Sequence, residues 1–285
     1  MIDFHMHLIH QKEIRETGKE WEKVTKIFFR ENGYSFSPIG LKELNIKMDV
    51  AGTKVGVILP IDCTRKRGDS ILTNEEVKKI CSLSSRFIGF ASIDPLREDT
   101  MDELEKAKGY GLSGLKLDPG LQGFSISEIV NHGFWNKIEK WNWPVIVHVG
   151  FTFSPHISMY SSTVKDIELL AEKYPKINFV IAHWGYPWTM EACLIAIKYE
   201  NVYIDTSNLY FDNPQRFSKF VIEHEISPSI IEKSLRNKII FGSNYPRVNI
   251  WKMRKAIEEL PLSSKCISAI LYDNAARLLN IELGG

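Results

Sequence analysis

The sequence is short of features that mark several large classes of protein. Its 285 residues include only four cysteines, none in a Cys-x-x-Cys spacing: Cys63, Cys81, Cys193 and Cys266. Cysteines without paired spacing are typical of reduced thiols in a cytosolic protein, so a disulfide framework is excluded. No low-complexity tract or Pro/Ser-rich linker interrupts the chain, and we place no domain boundary in it.

The sequence also lacks an excess of charge of either sign, and it lacks a long apolar run. The 36 basic and 35 acidic side chains give a formal net charge of +1, which provides no electrostatic reason to bind nucleic acid or an anionic membrane. No apolar run approaches the roughly 18 residues that a membrane span needs. The first residues form a strand with acid and histidine, unlike a secretory signal. We therefore expect a cytoplasmic protein whose partner is a small molecule.

What the sequence does contain is a series of short apolar runs. Most are continuous rather than alternating, as is typical of parallel strands covered by helices. The eight runs are 2–7, 55–60, 87–93, 114–118, 145–149, 179–183, 202–206 and 239–243.

Helix-like stretches separate these runs. Thr73 with Glu76 has the spacing of a capping box, and Thr100 with Glu103 repeats it. Strand and helix alternate eight times, which predicts an α/β fold: a single-domain (β/α)8 TIM barrel over residues 1–285. A doubly wound open sheet is the alternative, but a nucleotide-binding sheet of that kind usually has a glycine-rich turn after its first strand, where this chain has histidines.

The segment 8–54 is long for one connection between a strand and a helix. It contains Trp21, Phe28, Phe29, Tyr34 and Phe36. We expect this segment to fold over the barrel mouth as a loop and helical insertion.

Four of the eight histidines lie at the carboxyl ends of predicted strands. His5 and His7 are two residues apart, so in a strand both side chains point to the same face. His148 and His183 end two later runs. Because strand ends converge on one face of a barrel, these imidazoles should meet in one pocket. Neutral imidazoles suit zinc and other first-row divalent ions, and three ligands with an open position for water make such a site catalytic.

These motifs resemble the metal-dependent amidohydrolase superfamily, in the branch of aromatic-acid decarboxylases, amino-carboxymuconate-semialdehyde decarboxylase and lactone hydrolases. The resemblance spans the chain and the motifs follow the family's order. They are the segments 3–7 (DFHMH), 114–117 (GLKL), 147–150 (VHVG), 182–185 (AHWG), 203–207 (YIDTS), 241–246 (FGSNYP) and 273–279 (DNAARLL).

The resemblance implies roles for particular residues. His5, His7 and His148 would ligate one divalent metal ion, with zinc expected and manganese as the alternative. His183 would act as general acid or base, or as an additional ligand. Relatives often form homodimers, so the resemblance makes a homodimer a candidate, while the sequence itself does not reveal the oligomeric state.

One residue departs from the family pattern. The family's last metal ligand and proton acceptor is an aspartate after strand 8, and this chain has Asn244 there. An asparagine retains an oxygen that can coordinate, but it is neutral and is no useful base. Asp205, at the end of strand 7, would restore a carboxylate if its side chain faces the pocket. We therefore assign catalytic roles to His183, Asn244 and Asp205, with Asn244 also a weak metal ligand.

Three further residues are candidates for binding substrate. Lys116 ends strand 4, Arg247 follows the strand 8 motif, and His156 lies in the loop after His148. Lys116 and Arg247 would bind a substrate carboxylate, and His156 would contact the substrate from among the aromatic residues of its loop.

The predicted activity is metal-dependent hydrolysis of an ester, lactone or amide of a small organic acid. The first alternative is a non-oxidative decarboxylase on the same scaffold. The second is a catalytically silent barrel that binds a ligand, which Asn244 favours and the complete histidine set opposes.

Overall fold

A computed structural model of the chain describes residues 1–14, 37–152, 154, 156–207 and 213–281. Eight parallel strands lie at the positions of the eight apolar runs, and each is shorter than its run. They are β1 (Ile2–Met6), β2 (Val55–Ile58), β3 (Phe87–Gly89), β4 (Leu115–Leu117), β5 (Val145–Val147), β6 (Phe179–Ile181), β7 (Val202–Asp205) and β8 (Ile239–Ile240).

The strands close into a barrel. The strands form two parallel sheets, β1-β2-β3 and β4 to β8, in which each strand pairs with its neighbours in the chain. A bridge between Ala91 and Leu115 joins β3 to β4. The Phe4 N–H donates to the Phe241 carbonyl at 2.9 Å and joins β8 to β1. The predicted (β/α)8 barrel is therefore confirmed.

Helices cover the outside of the barrel, and none in the described ranges is both long and apolar enough to cross a membrane. The longer ones are Leu41–Ala51, Asn74–Leu83, Thr100–Gly109, Phe134–Lys140, Val164–Lys173, Thr189–Lys198, Pro214–Phe220 and Ile250–Glu258. Shorter helical pieces are Thr64–Arg67, Pro119–Gln122, Ile126–Ile129, Met159–Ser161, His183–Gly185, Val221–Glu225, Pro228–Ile230, Ile231–Leu235, Ser264–Ser268, Ala269–Asp273 and Asn274–Leu278.

One of the two predicted capping boxes is present. The Thr73 hydroxyl accepts from the Glu76 N–H at 3.1 Å, and the Glu76 carboxylate accepts from the Thr73 N–H at 2.7 Å. The box predicted at Thr100 is wrong, because Asp99 occupies the N-cap and the Thr100 hydroxyl donates to the carbonyls of Asp94 and Arg97 instead.

An antiparallel hairpin after β2 was not predicted. Its strands, Ile61–Cys63 and Asp69–Ile71, are too short for their periodicity to show. The short helix Thr64–Arg67 lies between them, and two of its basic side chains bond to backbone elsewhere in the chain: Arg67 donates to the Leu121 carbonyl and Arg65 to that of Gln122.

Two parts of the 8–54 segment pair with each other, because Gln11 and Ile39 form a parallel bridge. His10 contacts the Tyr245 hydroxyl at 3.1 Å, which places the start of the segment beside the loop after β8. The aromatic residues on which the insertion was predicted lie outside the described residues.

Strand β1 has an irregularity that sets the direction of its histidines. Asp3 pairs with Gly56, but Met6 pairs with Ile58, so β1 has one residue more than β2 over this stretch. An extra residue of this kind bends the strand locally and re-aims a side chain. Phe4 packs in an apolar cluster with Val57, while the following His5 lies in the polar site.

Candidate metal centre

The structure brings the four strand-end histidines into one continuous group. The ring centroids of His5 and His7 are 5.0 Å apart, those of His5 and His183 4.9 Å, and those of His148 and His183 5.0 Å. His5 and His183 are buried, whereas His7 and His148 are partly exposed. Imidazoles from β1, β5 and β6 thus line the carboxyl end of the barrel, as the sequence predicted.

The hydrogen bonds of His5 and His7 determine where their protons lie. His5 Nδ1 is 2.6 Å from Asp205 Oδ2, and His7 Nδ1 is 2.7 Å from the Leu59 carbonyl oxygen. Both partners only accept, so each neutral ring carries its proton on Nδ1. The two Nε2 atoms, which then hold lone pairs, face each other at 3.1 Å.

Two lone pairs at this distance repel each other unless a cation lies against both. Two imidazole nitrogens bound to one tetrahedral zinc ion at about 2.05 Å lie about 3.3 Å apart, close to the observed separation. Asp205 and the Leu59 carbonyl give the pair the outer hydrogen bonds that metal-ligating histidines ordinarily have. The donor set of His5 and His7 therefore fits a divalent metal ion.

Burial keeps all four rings neutral. It is the main cause that lowers the pKa of His7 to about 4 and the pKa values of His5, His148 and His183 below their ordinary range. The charge of Lys116 lowers the pKa of each ring further. Neutral imidazole is the form that ligates a metal, so no proton must be displaced at neutral pH.

Asp205 accepts several hydrogen bonds on the buried side of the site. Besides the His5 ring, it holds two backbone groups, since Oδ1 accepts from the N–H groups of His183 and Ser207 at 2.8 and 2.9 Å. His5, His183 and Asp205 each offer one ligand atom within 4.8 Å of the others. Because the carboxylate is already bonded to His5, we interpret its role as orienting the ring.

His183 has an unusual backbone. Its φ is 59°, and the φ values of Trp184 and Gly185 are 57° and 66°, so three successive residues are left-handed. Each non-glycine residue in this region costs roughly 1–2 kcal/mol. The bond from the His183 N–H to Asp205 offsets part of that cost.

His148 has the opposite proton arrangement. Its Nε2 donates to the Phe151 carbonyl at 3.1 Å, while its Nδ1 is 3.7 Å from Asp118 Oδ2, which is too long for a hydrogen bond. Among the described residues, no group of three close ligand atoms includes His148. Its role as third ligand thus stays a prediction that requires its ring to turn.

Asn244 lies beside His5 because its backbone N–H donates to the His5 carbonyl at 2.9 Å. Its φ is 61°, a conformation that asparagine tolerates better than most residues. Asp3 holds the preceding residue, since its carboxylate accepts from the Ser243 N–H at 2.9 Å and from the Ser243 hydroxyl at 2.6 Å. The turn that presents residue 244 is therefore fastened to β1.

The three predicted substrate residues have different surroundings. Lys116 is 1% exposed, and its Nζ has no hydrogen-bond partner among the described residues. Arg247 is partly buried, and its N–H donates to the Asn244 carbonyl at 2.9 Å. His156 is exposed in the loop after β5. The charge of Lys116 acts on all four histidines.

Ser207 is a site residue that sequence reasoning missed. Its hydroxyl lies 2.6 Å from His183 Nδ1 and 3.1 Å from His5 Nδ1, and it also contacts Asp205. The available signal was its position two residues after Asp205, at the end of an apolar run.

A family model described as amidohydrolase matches residues 2–281 of this sequence. The chain belongs to the amidohydrolase family. That match covers all eight strands and every residue of the site.

Solved structures share the fold along the whole chain. An uncharacterised TIM-barrel protein from Bordetella bronchiseptica is 19% identical, with a TM-score of 0.77 over 99% of this chain and 98% of its own. A probable 2-pyrone-4,6-dicarboxylic acid hydrolase from Acinetobacter baumannii is 18% identical, with a TM-score of 0.64 over 98% of both chains. 2,6-Dihydroxybenzoate decarboxylase from Rhizobium is 15% identical, with a TM-score of 0.65 over 98% of both chains.

A curated protein matches over a shorter stretch. Protein fluG of Emericella nidulans is 32% identical over 74 residues, which are 26% of this chain and 8% of that protein. The solved structures that share the fold of this chain thus include a probable hydrolase and a decarboxylase, and the amidohydrolase family to which the chain belongs is a family of enzymes.

Proposed function

We propose that this protein is a metal-dependent hydrolase that acts on an ester, lactone or amide of a small organic acid. The observation that carries the proposal is the pair of Nε2 atoms of His5 and His7, which face each other at 3.1 Å while both Nδ1 atoms are bonded to acceptors. Zinc is the expected ion and manganese the alternative. When bound, the ion would supply Lewis-acid polarisation and activation of water.

The surrounding residues would hold the ion and move protons. His5 and His7 would ligate it, with His148 and the Asn244 side chain as further ligands. Asp205 keeps the His5 ring in one orientation. His183 would accept a proton from the attacking water and later donate it to the leaving group.

Lys116 would bind the substrate's carboxylate. Burial lowers the pKa of Lys116, and a buried amine without a hydrogen bond is costly, so an incoming carboxylate would supply both a partner and an opposite charge. Arg247 and His156 would extend this carboxylate-binding subsite toward the barrel mouth. A substrate that is itself an organic acid follows from this arrangement.

Non-oxidative decarboxylation is the second candidate. It is favoured by Asn244, because protonating a substrate carbon does not need the hydroxide-generating carboxylate that this chain lacks. The similarity to 2,6-dihydroxybenzoate decarboxylase supports it, as the similarity to a probable pyrone dicarboxylic acid hydrolase supports the first. Carbon dioxide evolution separates the two. A silent ligand-binding barrel would give neither product.

Metal content tests the proposal directly. Untagged protein purified without chelator is expected to contain about one equivalent of a divalent metal by plasma mass spectrometry. The His5→Ala/His7→Ala double variant should contain none, while the His132→Ala/His224→Ala control, altered away from the site, should retain it. A folded wild type that stays metal-free after addition of zinc or manganese would refute metal dependence.

Replacement of Lys116 by methionine tests the carboxylate-binding subsite. We expect Lys116→Met to raise the free energy of unfolding at pH 7 by about 1–3 kcal/mol, because it removes a desolvated ammonium. It should also abolish turnover of carboxylate substrates. Urea denaturation measures the first effect.

Lys238→Met is the matched control, because Lys238 donates to the carbonyls of Tyr199 and Glu200. That variant should be destabilised. A destabilised Lys116→Met would mean that the ammonium already has a partner in the folded protein.

A further inference from the structure

Ser207 contacts His183 Nδ1 with two of its oxygen atoms. The Ser207 carbonyl oxygen is 3.3 Å from Nδ1, and its hydroxyl oxygen is 2.6 Å from the same atom. We propose that Ser207 is a positioning residue that fixes the proton of neutral His183 on Nδ1 and links that ring to Asp205. The consequence for catalysis rests on the function proposed above, but the tautomer itself does not.

The proton positions follow from what each partner can do. A carbonyl oxygen only accepts, so its approach to His183 Nδ1 requires a proton on that nitrogen. The Ser207 hydroxyl then accepts from the same N–H, and its own proton remains to be donated. Asp205 Oδ1, which contacts the hydroxyl closely, is an acceptor. The order of donation is therefore His183 Nδ1–H to Ser207 Oγ–H to Asp205.

The opposite tautomer conflicts with the same contacts. With its proton on Nε2, His183 would turn a lone pair toward the Ser207 carbonyl oxygen. The serine hydroxyl could give its single proton either to His183 or to Asp205, and one of the two short contacts would join acceptors only. His5 cannot remedy this, because its Nδ1–H is directed at Asp205 Oδ2 at 2.6 Å.

The group is also shielded from water that could substitute for these bonds. Ser207 and Asp205 are fully buried, and His183 is 2% exposed. One carboxylate thus serves two rings, His5 directly and His183 through Ser207. The lone pair of His183 is left on Nε2, and a proton gained there creates a cation that Asp205 stabilises through the serine hydroxyl.

Nitrogen-15 NMR of histidine-labelled, chelator-treated protein at pH 7.5 tests the tautomer without metal or substrate. His183→Gln assigns the signal. We expect Nδ1 of His183 to show the shift of a protonated nitrogen in the wild type, and Nε2 that of an unprotonated one. In Ser207→Ala, signals of the Nε2–H tautomer should appear and take up a large share of the population.

Ser207→Ala should fold, because Asp205 Oδ1 keeps the N–H groups of His183 and residue 207. Ser218→Ala, a buried serine in the helix Pro214–Phe220, is the matched control and should leave the His183 signals unchanged. Ser207→Thr, which retains the hydroxyl, should restore the wild-type tautomer.

Two results would overturn the proposal: a wild type with its His183 proton on Nε2, or a Ser207→Ala protein with the wild-type tautomer. Metal content, measured on the same samples, distinguishes this failure from failure of the proposed function. Ser207→Ala should bind zinc with the wild-type stoichiometry. Its kcat/KM should fall by about 10-fold for a substrate that the wild type turns over.

Discussion

At the scale of the residue, position 244 decides how strongly the site can bind a cation. The Asn244 backbone is fixed by its bond to the His5 carbonyl, and its φ of 61° is one that aspartate also adopts. An aspartate would therefore replace it without rebuilding the turn. It would add a negative charge next to the facing nitrogens of His5 and His7.

Asn244→Asp should bind zinc about 10-fold more tightly or better, and it should gain turnover of a chromogenic ester, because the new carboxylate is both a ligand and a proton acceptor. Competition with a chelating dye measures the affinity. Asn142→Asp is the matched control, since Asn142 also has a left-handed backbone, with φ 52°, but is exposed and far from the site. An unchanged zinc affinity in Asn244→Asp would mean that residue 244 does not face the metal.

At the scale of the element, the loops that follow β5 and β6 meet at one glycine. Gly150 has φ 86°, and a Cβ there would lie 2.1 Å from the Tyr186 carbonyl oxygen. The same oxygen accepts from the Phe151 N–H at 3.0 Å. This contact sets the positions of His148 and His183 relative to each other, because each ends one of the two strands.

Gly150→Ala should lower the free energy of unfolding by about 2–4 kcal/mol, because it combines a left-handed backbone with a clash against rigid backbone atoms. Gly111→Ala should cost about 1 kcal/mol, since Gly111 has φ 81° but open space around its Cα. Urea denaturation of both variants measures the difference. Equal losses would show that the clash is relieved by a small loop movement.

At the scale of the whole molecule, buried histidines control the response to acid. Burial lowers the pKa of His7 and of His10 to about 4, and it lowers those of His5, His148 and His183 as well. In the unfolded chain each titrates near 6.5, so the unfolded state binds more protons between pH 6.5 and 4. Stability contributed by these neutral rings is present above pH 6.5 and is lost as the pH falls.

Asp3 has the opposite effect on the pH dependence of stability, but it is a single residue and the histidines together have the larger effect. Burial raises its pKa to about 7, so its contribution to stability decreases as the pH rises from about 4 to 7. Each histidine with a pKa of about 4 loses about 3 kcal/mol over the acid range, and five histidines are affected. Metal-free protein should therefore unfold at lower urea concentrations at pH 5 than at pH 7.

His10 isolates this effect from the metal site. His10→Gln should reduce the loss of stability between pH 7 and pH 4 by about one histidine's share, roughly 3 kcal/mol. Denaturation midpoints in chelator across this range provide the measurement, and His224→Gln, at an exposed histidine, is the control. If His10→Gln lost as much stability between pH 7 and pH 4 as the wild type, the His10 ring would already be charged in the folded protein.

The sequence by itself determined the barrel and the identity of its strand-end histidines. Both depend on relations between residues close in the chain: continuous apolar runs of strand length, and residues two apart that share a strand face. The convergence of His5, His148 and His183 then followed, since parallel strands of a barrel end on one side. The departure at Asn244 was also visible in the sequence alone.

Only the tertiary structure decided how these side chains are connected. His5 and Asp205, which form the central hydrogen bond, are 200 residues apart, and the bulge in β1 that turns His5 toward it depends on pairing with β2. Proton positions on a histidine are set by whichever donor or acceptor reaches each nitrogen. No local pattern specifies that partner, which is why Ser207 was missed.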